Sequence, residues 1–284
     1  MEDIATKRLD QKVVGLVPEL SRSATAKLIE QGKVRVNGQT VLKSSYKVRD
    51  ADKIKVDFKP HEFKYPKIKL PIIYEDDDCI VINKPVGLLT HSKGAFNPEA
   101  TVATWLTHKV KGLSGARNGI VHRLDRATGG VMICAKNPTA LSWLQKQFSQ
   151  RKVKKTYIAI VEGRLKNQEA VIDMPIERNP KAPATFRVGV NGKQSITKYK
   201  VLKESEKYSL LELSPETGRT HQLRVHLSQL NHPIVGDSLY GGTKADRLYL
   251  HALALEITLP DKTRKIFKTK LPHEFNKILR EAHA

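Results

Sequence analysis

The chain has 284 residues, and its 50 lysines and arginines outnumber its 29 aspartates and glutamates, which gives a formal net charge of +21. This length accommodates one large domain and one small domain. The excess of positive charge indicates a polyanionic partner and favours nucleic acid over an acidic membrane surface, with a basic protein that lacks a specific partner as the alternative. No apolar run approaches the roughly 18 residues that a transmembrane helix requires.

The N-terminal residues and the cysteines predict the compartment. The first twelve residues, MEDIATKRLDQK, contain neither the basic nor the apolar region of a secretory signal. Cys79 and Cys134 lie in separate apolar, strand-like runs, which predicts packing in a core rather than a zinc cluster. We therefore expect a protein of the reducing cytoplasm, and we expect it to act as a monomer.

Apolar residues at helical spacing predict two helices near the N terminus. The first ends at Pro18, and the second follows a cap at Ser21 or Ser23 and ends before Gly32, which is expected in the left-handed region. The residues predicted to face inward are Leu9, Val13, Leu16, Ala24, Leu28 and Ile29. Val34 and Val36 then alternate with polar residues before an Asn37-Gly38 hairpin turn.

This small N-terminal α/β unit resembles the S-four-like RNA-binding module first seen in a ribosomal protein. The matching stretch is KRLDQKVVGLVPELSRSATAKLIEQGKVRVNG, continuing to KVRDADKIKV. The resemblance implies that residues 1–59 contact structured RNA through cations such as Arg22, Lys27 and Arg35. The alternative is a helical cap that covers an edge of the next domain. Prolines interleaved with lysines predict an extended linker over residues 60–71.

The remaining residues, 72–284, predict a larger α+β domain. The strand-like runs are Cys79–Ile82, Val131–Cys134, Tyr157–Val161 and Leu210–Leu213. The clearest helix covers Ser142–Arg151, with Trp143, Leu144 and Phe148 spaced for burial. Strands outnumber helices and no Gly-rich phosphate loop occurs, which favours a mixed, mainly antiparallel sheet over a nucleotide-binding fold.

The segment His122-Arg-Leu-Asp-Arg-Ala-Thr-Gly-Gly130 is the strongest candidate for a functional site. It places Asp125 on a tight turn before an apolar strand, with Arg123 and Arg126 on either side. Neighbouring cations keep a carboxylate ionised, and the same arginines hold a polyanion. A solvated group of ion pairs is the alternative.

Three further clusters combine cations with turns or aromatic residues. Lys84 lies in the turn NKPVGL, and Arg151 precedes the strand start KKTY. The run GRTHQLRVH predicts a helix with Arg219 in its first turn and Arg224 on a different face from Gln222. Each cluster alone has a simpler explanation: a proline turn, a solvated strand edge or a capped surface helix.

Together these segments resemble the RluA-type pseudouridine synthase family. The segments IVINKPVGLLTH, GIVHRLDRATGG, KKTYIAIVEG, GRTHQLRVHLSQLNHPIVGDSLYGG and LYLHALALEI occur in the family's order and cover nearly all of residues 72–258. The resemblance implies a long mixed sheet with a central RNA cleft, and isomerisation of specific uridines, most of all in ribosomal RNA, without metal or cofactor. Two residues depart from the family: Gly129 replaces a serine or threonine, which predicts a slightly looser Asp125 loop, and Asn231 replaces a glycine.

The resemblance also implies the roles of the catalytic residues. Asp125 is the catalytic carboxylate, acting either as nucleophile at the anomeric carbon or as base at the ribose 2′ position. Arg224 forms a two-pronged ion pair with it and keeps it ionised. Tyr157 stacks on the target uracil, which must leave its base stack to be reached.

Arginines and lysines around these residues are implied to contact the RNA. Arg123 enters the gap left by the flipped base or holds its phosphate. Lys84, Arg126 and Arg219 contact the RNA backbone, with solvated surface cations as the alternative.

Three histidines lie in or next to these segments. His122, His221 and His226 have no acidic partner or nucleophilic serine that completes a triad, so we expect them to act as hydrogen-bonding support. The alternative functions are a non-catalytic RNA-binding ribosome assembly factor, a transfer RNA pseudouridine synthase, and a metal-dependent nuclease.

Overall fold

The computed structural model describes residues 6–17, 20, 22–58, 66–92, 99–115 and 117–281. The chain forms two compact units. The first comprises Met1–Ile68, His91–Thr107 and Ser114–Asn118, and the second comprises the intervening segments and Gly119–Ala284. Residues 60–65 of the predicted linker, Ser21 and the Ser23 side chain lie outside the described part of the chain.

The first unit contains three short helices and five short strands. They are β1 (Lys7–Arg8), α1 (Leu9–Leu16), α2 (Arg22–Glu30), β2 (Val34–Val36), β3 (Gln39–Thr40), β4 (Lys47–Val48), β5 (Ile54–Val56) and α3 (Val102–Leu106). Strand β2 lies between β3 and β5 in a three-stranded sheet, and β1 pairs with β4. The two predicted helices and the predicted hairpin are therefore confirmed.

The core of this unit agrees with the sequence pattern except at one residue. Among the predicted inward residues, Leu9, Val13, Ala24, Leu28 and Ile29 are buried. Leu16 is 54% exposed at the last position of α1, so the burial that its helical spacing suggests is wrong. The turn geometry is confirmed, since Gly32, Asn37 and Gly38 all have positive φ angles.

The second unit is built on one large sheet. Its elements are β6 (Ile72–Glu75), β7 (Cys79–Lys84), β8 (Gly129–Ala135), α4 (Pro138–Ser149), β9 (Lys154–Glu162), β10 (Glu169–Asp173), β11 (Ile176–Arg178), β12 (Phe186–Val188), β13 (Ile196–Glu204), β14 (Tyr208–Pro215), α5 (Gln222–Gln229), β15 (Leu250–Thr258), β16 (Arg264–Lys268) and α6 (His273–Glu281).

The sheet order confirms the predicted mixed, mainly antiparallel α+β fold. Nine strands run in the order β10-β13-β14-β9-β15-β8-β7-β6, with β16 paired to β15. Among the described strands, the pairing of β15 with β8 is parallel and all the others are antiparallel. All four predicted strand-like runs lie inside strands, and Cys79 and Cys134 are fully buried in β7 and β8, as expected for core residues.

Helix α4 begins four residues earlier than predicted and ends two residues earlier. It begins at Pro138 because Asn137 caps it, accepting a hydrogen bond from the backbone N–H of Ala140 at 2.8 Å. The predicted limits Ser142–Arg151 are therefore wrong. Of its apolar residues, Leu144 is buried, whereas Trp143 and Phe148 are partly buried against the same core.

Two backbone positions near β8 and α5 constrain the residue type. Gly130 has a φ angle of 121°, and a Cβ atom there would lie 2.2 Å from the carbonyl oxygen of Ala252 on the parallel neighbour β15. Asn231, which follows α5, has a φ angle of 63°, so asparagine adopts the left-handed geometry expected of it. Among the described residues, no helix is long and apolar enough to cross a membrane.

Candidate active site

The second unit contains a cavity of about 590 Å³. Its walls come from the segment 121–128, the end of α4, the start of β9, the segment 215–221 and the start of α5. Five of the predicted site residues line it: Asp125, Arg224, Tyr157, Arg123 and Arg219.

Asp125 lies on the predicted turn before β8. The backbone N–H of Thr128 donates to the Asp125 carbonyl at 3.1 Å, and the N–H of Gly87 donates to the Arg126 carbonyl at 2.8 Å. Thr90 holds the preceding residue, since its hydroxyl donates to the carbonyl of Leu124 at 2.8 Å. The Asp125 side chain is 19% exposed, so it is held by its backbone yet open to the cavity.

The Lys84 side chain bonds backbone carbonyls next to this turn and is not exposed at the surface. Its side chain is fully buried, and its Nζ donates to the carbonyls of Leu88 at 2.8 Å and Pro85 at 3.0 Å. Burial lowers the pKa of Lys84 to about 8, against the opposing effect of the Asp125 charge. The prediction that Lys84 contacts the RNA backbone, or is a solvated cation, is wrong because turn carbonyls surround its ammonium group.

Gly129 lies close to the same turn. A Cβ atom at this position would lie 3.1 Å from the carbonyl oxygen of Lys84 and 3.2 Å from Cγ2 of Val86. Glycine therefore allows close packing of β8 against the turn. The predicted loosening of the Asp125 loop stays a prediction.

Arg224 forms its two-pronged ion pair with Asp237 rather than with Asp125. Its Nε and Nη2 each lie 2.7 Å from a carboxylate oxygen of Asp237, whose side chain is fully buried. Its Nη1 lies 3.6 Å from Oδ2 of Asp125. The predicted two-pronged ion pair with Asp125 is therefore wrong. Arg224 and Asp125 are nevertheless close enough in the cavity to form a single, longer ion pair.

The charges around Arg224 explain how a buried guanidinium is tolerated. Burial alone would lower the pKa of Arg224, but the hydrogen bonds and charge of Asp237, helped by Asp125, raise it. The ring of Tyr240 adds a cation–π contact, with the guanidinium carbon 4.9 Å from the ring centroid. Arg224 is therefore held by two contacts that do not involve Asp125.

Asp237 and Tyr240 are site residues that were not predicted from the sequence. Both lie in the quoted segment GDSLYGG, and the signal that identifies Asp237 is the glycine before it. Gly236 has a φ angle of 81°, and a Cβ atom there would lie 1.8 Å from the carbonyl oxygen of Arg247. Only glycine fits this turn, which directs the next residue towards Arg224.

His221 approaches the same carboxylate oxygen of Asp125 as Arg224 does, so the prediction that it has no acidic partner is wrong. Its Nδ1 is hydrogen-bonded to the Tyr240 hydroxyl at 2.7 Å, and its Nε2 lies 3.8 Å from Oδ2 of Asp125. The same hydroxyl accepts a bond from the backbone N–H of Phe186 on β12 at 3.0 Å. His221 itself has a φ angle of 58°, a left-handed geometry that non-glycine residues retain only where their surroundings impose it.

Helix α5 begins at Gln222, not at Gly218 as predicted. The buried Gln222 side chain accepts bonds from the Arg219 backbone N–H at 3.0 Å and the Thr217 hydroxyl at 2.8 Å. This side chain holds the preceding residues in a separate loop. The prediction that Arg219 lies in the first helical turn is therefore wrong, although its side chain does line the cavity.

Tyr157 and His122 also line the cavity. Burial, assisted by the charge of Asp125, raises the pKa of Tyr157, so its hydroxyl stays protonated at neutral pH. His122 stacks on Phe148 with ring centroids 4.5 Å apart, and burial lowers the pKa of His122 to about 3. Its neutral Nε2 accepts a bond from the Ile133 N–H at 3.2 Å, in agreement with the hydrogen-bonding role expected of it.

His226 also has the expected hydrogen-bonding role. Its Nε2 bonds the carbonyl of Met174 and its Nδ1 bonds the Thr197 hydroxyl, both at 3.0 Å. A carbonyl only accepts, so the proton lies on Nε2. Within the described part of the chain, no group of three histidine, cysteine or acidic side chains is arranged to hold a metal ion.

The other predicted RNA contacts lie outside the cavity. Arg126 is exposed but does not line it. In the first unit, Lys27 and Arg35 are exposed, whereas the Nε of Arg22 lies 3.0 Å from the buried carboxylate of Asp10. Hydrogen bonds from Arg8, and then Arg22, lower the pKa of Asp10 to about 2. Arg22 therefore stabilises its own unit, whatever else it binds.

Comparison with known proteins identifies both parts of the chain. Residues 78–229 match the family described as RNA pseudouridylate synthase, and residues 7–54 match the S4 domain. A protein of Haemophilus ducreyi named ribosomal large subunit pseudouridine synthase D is 36% identical, over 99% of this chain and 88% of its own length. An uncharacterized RNA pseudouridine synthase of Aquifex aeolicus is 41% identical, over 83% of this chain and 77% of its own length.

A solved structure supports the fold assignment. Human RNA pseudouridylate synthase domain containing 4 superposes with a TM-score of 0.61 at 29% identity, covering 75% of this chain and 92% of its own. The family match covers more than half of this chain, and relatives above 30% identity extend along nearly all of it. Both predicted resemblances are thus confirmed: the chain belongs to the RNA pseudouridylate synthase family, whose members are isomerases that act on RNA, and it carries an S4 domain near its N terminus.

Proposed function

We propose that this enzyme converts specific uridines of ribosomal RNA to pseudouridine, with Asp125 as the catalytic carboxylate. The observation that carries the proposal is the position of Asp125, whose side chain is held at a cavity wall with Arg224 and His221 on one side. Tyr157 and Arg123 line the same cavity. A carboxylate placed among a cation, a histidine and a protonated tyrosine suits chemistry on a sugar and an attached base.

The reaction is an isomerisation and needs no co-reactant. The bond from N1 of uracil to the ribose C1′ breaks, a bond from C5 to C1′ forms, the proton on C5 leaves, and N1 gains a proton. Asp125 acts either by attacking C1′ or by removing the 2′ proton, and both routes require an ionised, accessible carboxylate. We assign the ring of Tyr157, which lines the cavity, to stacking on the base and its protonated hydroxyl to assisting proton movement.

The size of the cavity supports action on a flipped base. A volume of about 590 Å³ is within the range of pockets that bind small molecules and is large enough for a single nucleotide. The target uridine therefore leaves its stack, as in other enzymes that modify bases. Arg123 is exposed at the cavity wall and is the residue that we assign to the gap left by the base or to its phosphate.

Ribosomal RNA is the proposed substrate because two observations agree. The curated relatives that match nearly the whole chain are named ribosomal large subunit pseudouridine synthase D. The S4 match at residues 7–54 supplies a second RNA-binding region, with Lys27 and Arg35 exposed. We assign residues 1–59 to this module, 60–71 to a linker and 72–284 to the catalytic domain.

Tritium release tests the proposal. The full-length protein is incubated with large-subunit ribosomal RNA or with transfer RNA, each labelled with tritium at uracil C5, in parallel reactions with and without excess chelator. We expect release from ribosomal RNA by the wild type and none by Asp125→Asn. Release from transfer RNA alone would assign the other substrate, and binding without release would favour an assembly factor. Strand cleavage that chelator abolishes would identify a nuclease.

A further inference from the structure

Arg151 lies in a backbone position that normally belongs to glycine. The N–H of Arg151 donates to the Phe148 carbonyl at 3.1 Å, and the N–H of Lys152 donates to the Gln147 carbonyl at 3.0 Å. This pair of bonds is the Schellman motif that ends helix α4, and its left-handed residue is most often glycine. Here the residue is arginine, with a φ angle of 57°. Its exposed side chain lines the cavity that contains Asp125.

Lys155 lines the same wall. It lies two residues before Tyr157 on β9, so the two side chains share a face of the strand and both reach the cavity. Its Nζ donates one hydrogen bond to the carbonyl of Thr217 at 3.0 Å, which leaves two further N–H groups. Burial, and then the charge of Arg151, lower the pKa of Lys155 to about 8.

These two cations have no acidic partner within the described part of the chain. No carboxylate of the described residues lies within 4.0 Å of either side chain. By contrast, the neighbouring Lys154 lies 3.5 Å from Glu256. Two like charges close enough to depress the pKa of one of them favour an anion between them.

We propose that Arg151 and Lys155 bind a phosphodiester of the RNA next to the target uridine. This inference rests on the proposed function, since Tyr157 is then the residue under the target base. Two residues of strand separate Tyr157 from Lys155 by roughly 7 Å, which puts the ammonium beside the base site rather than in it. The planar guanidinium donates to two phosphate oxygens, and the ammonium acts as a point charge.

Stabilisation of the helix end alone does not explain this pair. Cations near a helix C terminus do interact favourably with the helix dipole, but Lys146 already lies in the last turn of α4. The dipole interaction requires neither an arginine in the left-handed region nor a second cation at the cavity. A phosphate subsite explains the position of Arg151 and the presence of Lys155.

Arg151→Gly provides a test that separates binding from folding. Glycine suits the left-handed position, so the melting temperature of this variant should equal or exceed that of the wild type. Its affinity for a large-subunit ribosomal RNA fragment should nevertheless fall roughly tenfold or more, the effect of losing the charge-assisted hydrogen bonds of Arg151 to the phosphate. Lys155→Gln should weaken binding to a similar extent. In each variant the slope of log affinity against log salt should fall by roughly 0.7–0.9 for the lost phosphate contact.

Lys154→Gln is the matched control, since it removes an equal charge from the same strand but from a residue paired with Glu256. We expect wild-type affinity and salt slope for this control. Wild-type binding by both Arg151→Gly and Lys155→Gln, or equal weakening by Lys154→Gln, would overturn the subsite. Tritium release by the wild-type enzyme tests the proposed function separately, so failure of one proposal is distinguishable from failure of the other.

Discussion

Asp237→Asn tests whether the buried ion pair controls the position of Arg224. The substitution keeps the shape of the side chain but removes the charge that two guanidinium nitrogens contact at 2.7 Å. Removing one partner of a buried pair costs about 3–5 kcal/mol. We expect a loss near the lower end, about 3 kcal/mol, because the asparagine oxygen still accepts one bond and the Tyr240 ring still faces Arg224. For a domain of this size, that corresponds to a fall of roughly 6–12 °C in the melting temperature.

The same substitution should impair turnover more than it impairs RNA binding. Without the charge of Asp237, Asp125 is the carboxylate nearest to Arg224, at 3.6 Å. The guanidinium then rotates onto Asp125 and occupies the lone pairs that the reaction requires. We expect a fall of roughly tenfold to a hundredfold in the single-turnover rate at saturating RNA, with the dissociation constant changed by less than about threefold.

Thermal unfolding and single-turnover tritium release measure the two effects. Asp246→Asn is the control, since Asp246 is an exposed acid on the same loop that accepts a hydrogen bond from Tyr249. This control should unfold and turn over like the wild type. A wild-type melting temperature and rate for Asp237→Asn would refute the reasoning, because Arg224 would then keep its position without the ion pair.

Three further perturbations have defined outcomes. Asp125→Asn should abolish tritium release while RNA affinity stays within a few-fold of wild type, and substantial residual turnover would remove Asp125 from its catalytic role. Lys84→Met should reduce the pH dependence of stability: burial lowers the pKa of Lys84 from 10.5 to about 8, so Lys84 contributes a gain of up to about 3 kcal/mol as pH rises from about 8 to 10.5, whereas the contribution of Lys155 stays. Equal pH dependence of unfolding in both proteins would contradict this. Deleting residues 1–59 should lower the salt slope of RNA binding by roughly 0.7–0.9 per lost phosphate contact, and an unchanged slope would show that the module does not touch RNA.

The strands and the Asp125 turn were predictable because their signals are local. Apolar runs such as Val131–Cys134 are long enough to be buried strands, and all of them lie in the observed sheet. The turn before β8 follows from small residues next to Asp125, and the hairpin at Asn37 follows from the preference for positive φ angles. Residues a few positions apart determine each of these features.

The features that the sequence did not predict depend on contacts between distant segments. Lys84 is buried because its ammonium group contacts two segments, the Leu88 carbonyl of its own turn at 2.8 Å and the Arg126 carbonyl of the Asp125 turn at 3.5 Å. Helix α5 begins at Gln222 because the side chain of this residue bonds Thr217 and β13. A lysine or a glutamine in a polar run gives no indication of such partners, because composition predicts them to be exposed.

Asp237 shows why an arginine near a catalytic carboxylate benefits from a second acid. If Arg224 formed its two-pronged ion pair with Asp125, the carboxylate would be ordered, but its lone pairs would be occupied by the guanidinium donors. In the observed arrangement Asp237 takes both strong bonds of Arg224 at 2.7 Å, and only Nη1 of Arg224 approaches Asp125, at 3.6 Å from Oδ2. Asp125 therefore retains free oxygen lone pairs facing the cavity, which either of its proposed roles, as nucleophile or as base, requires.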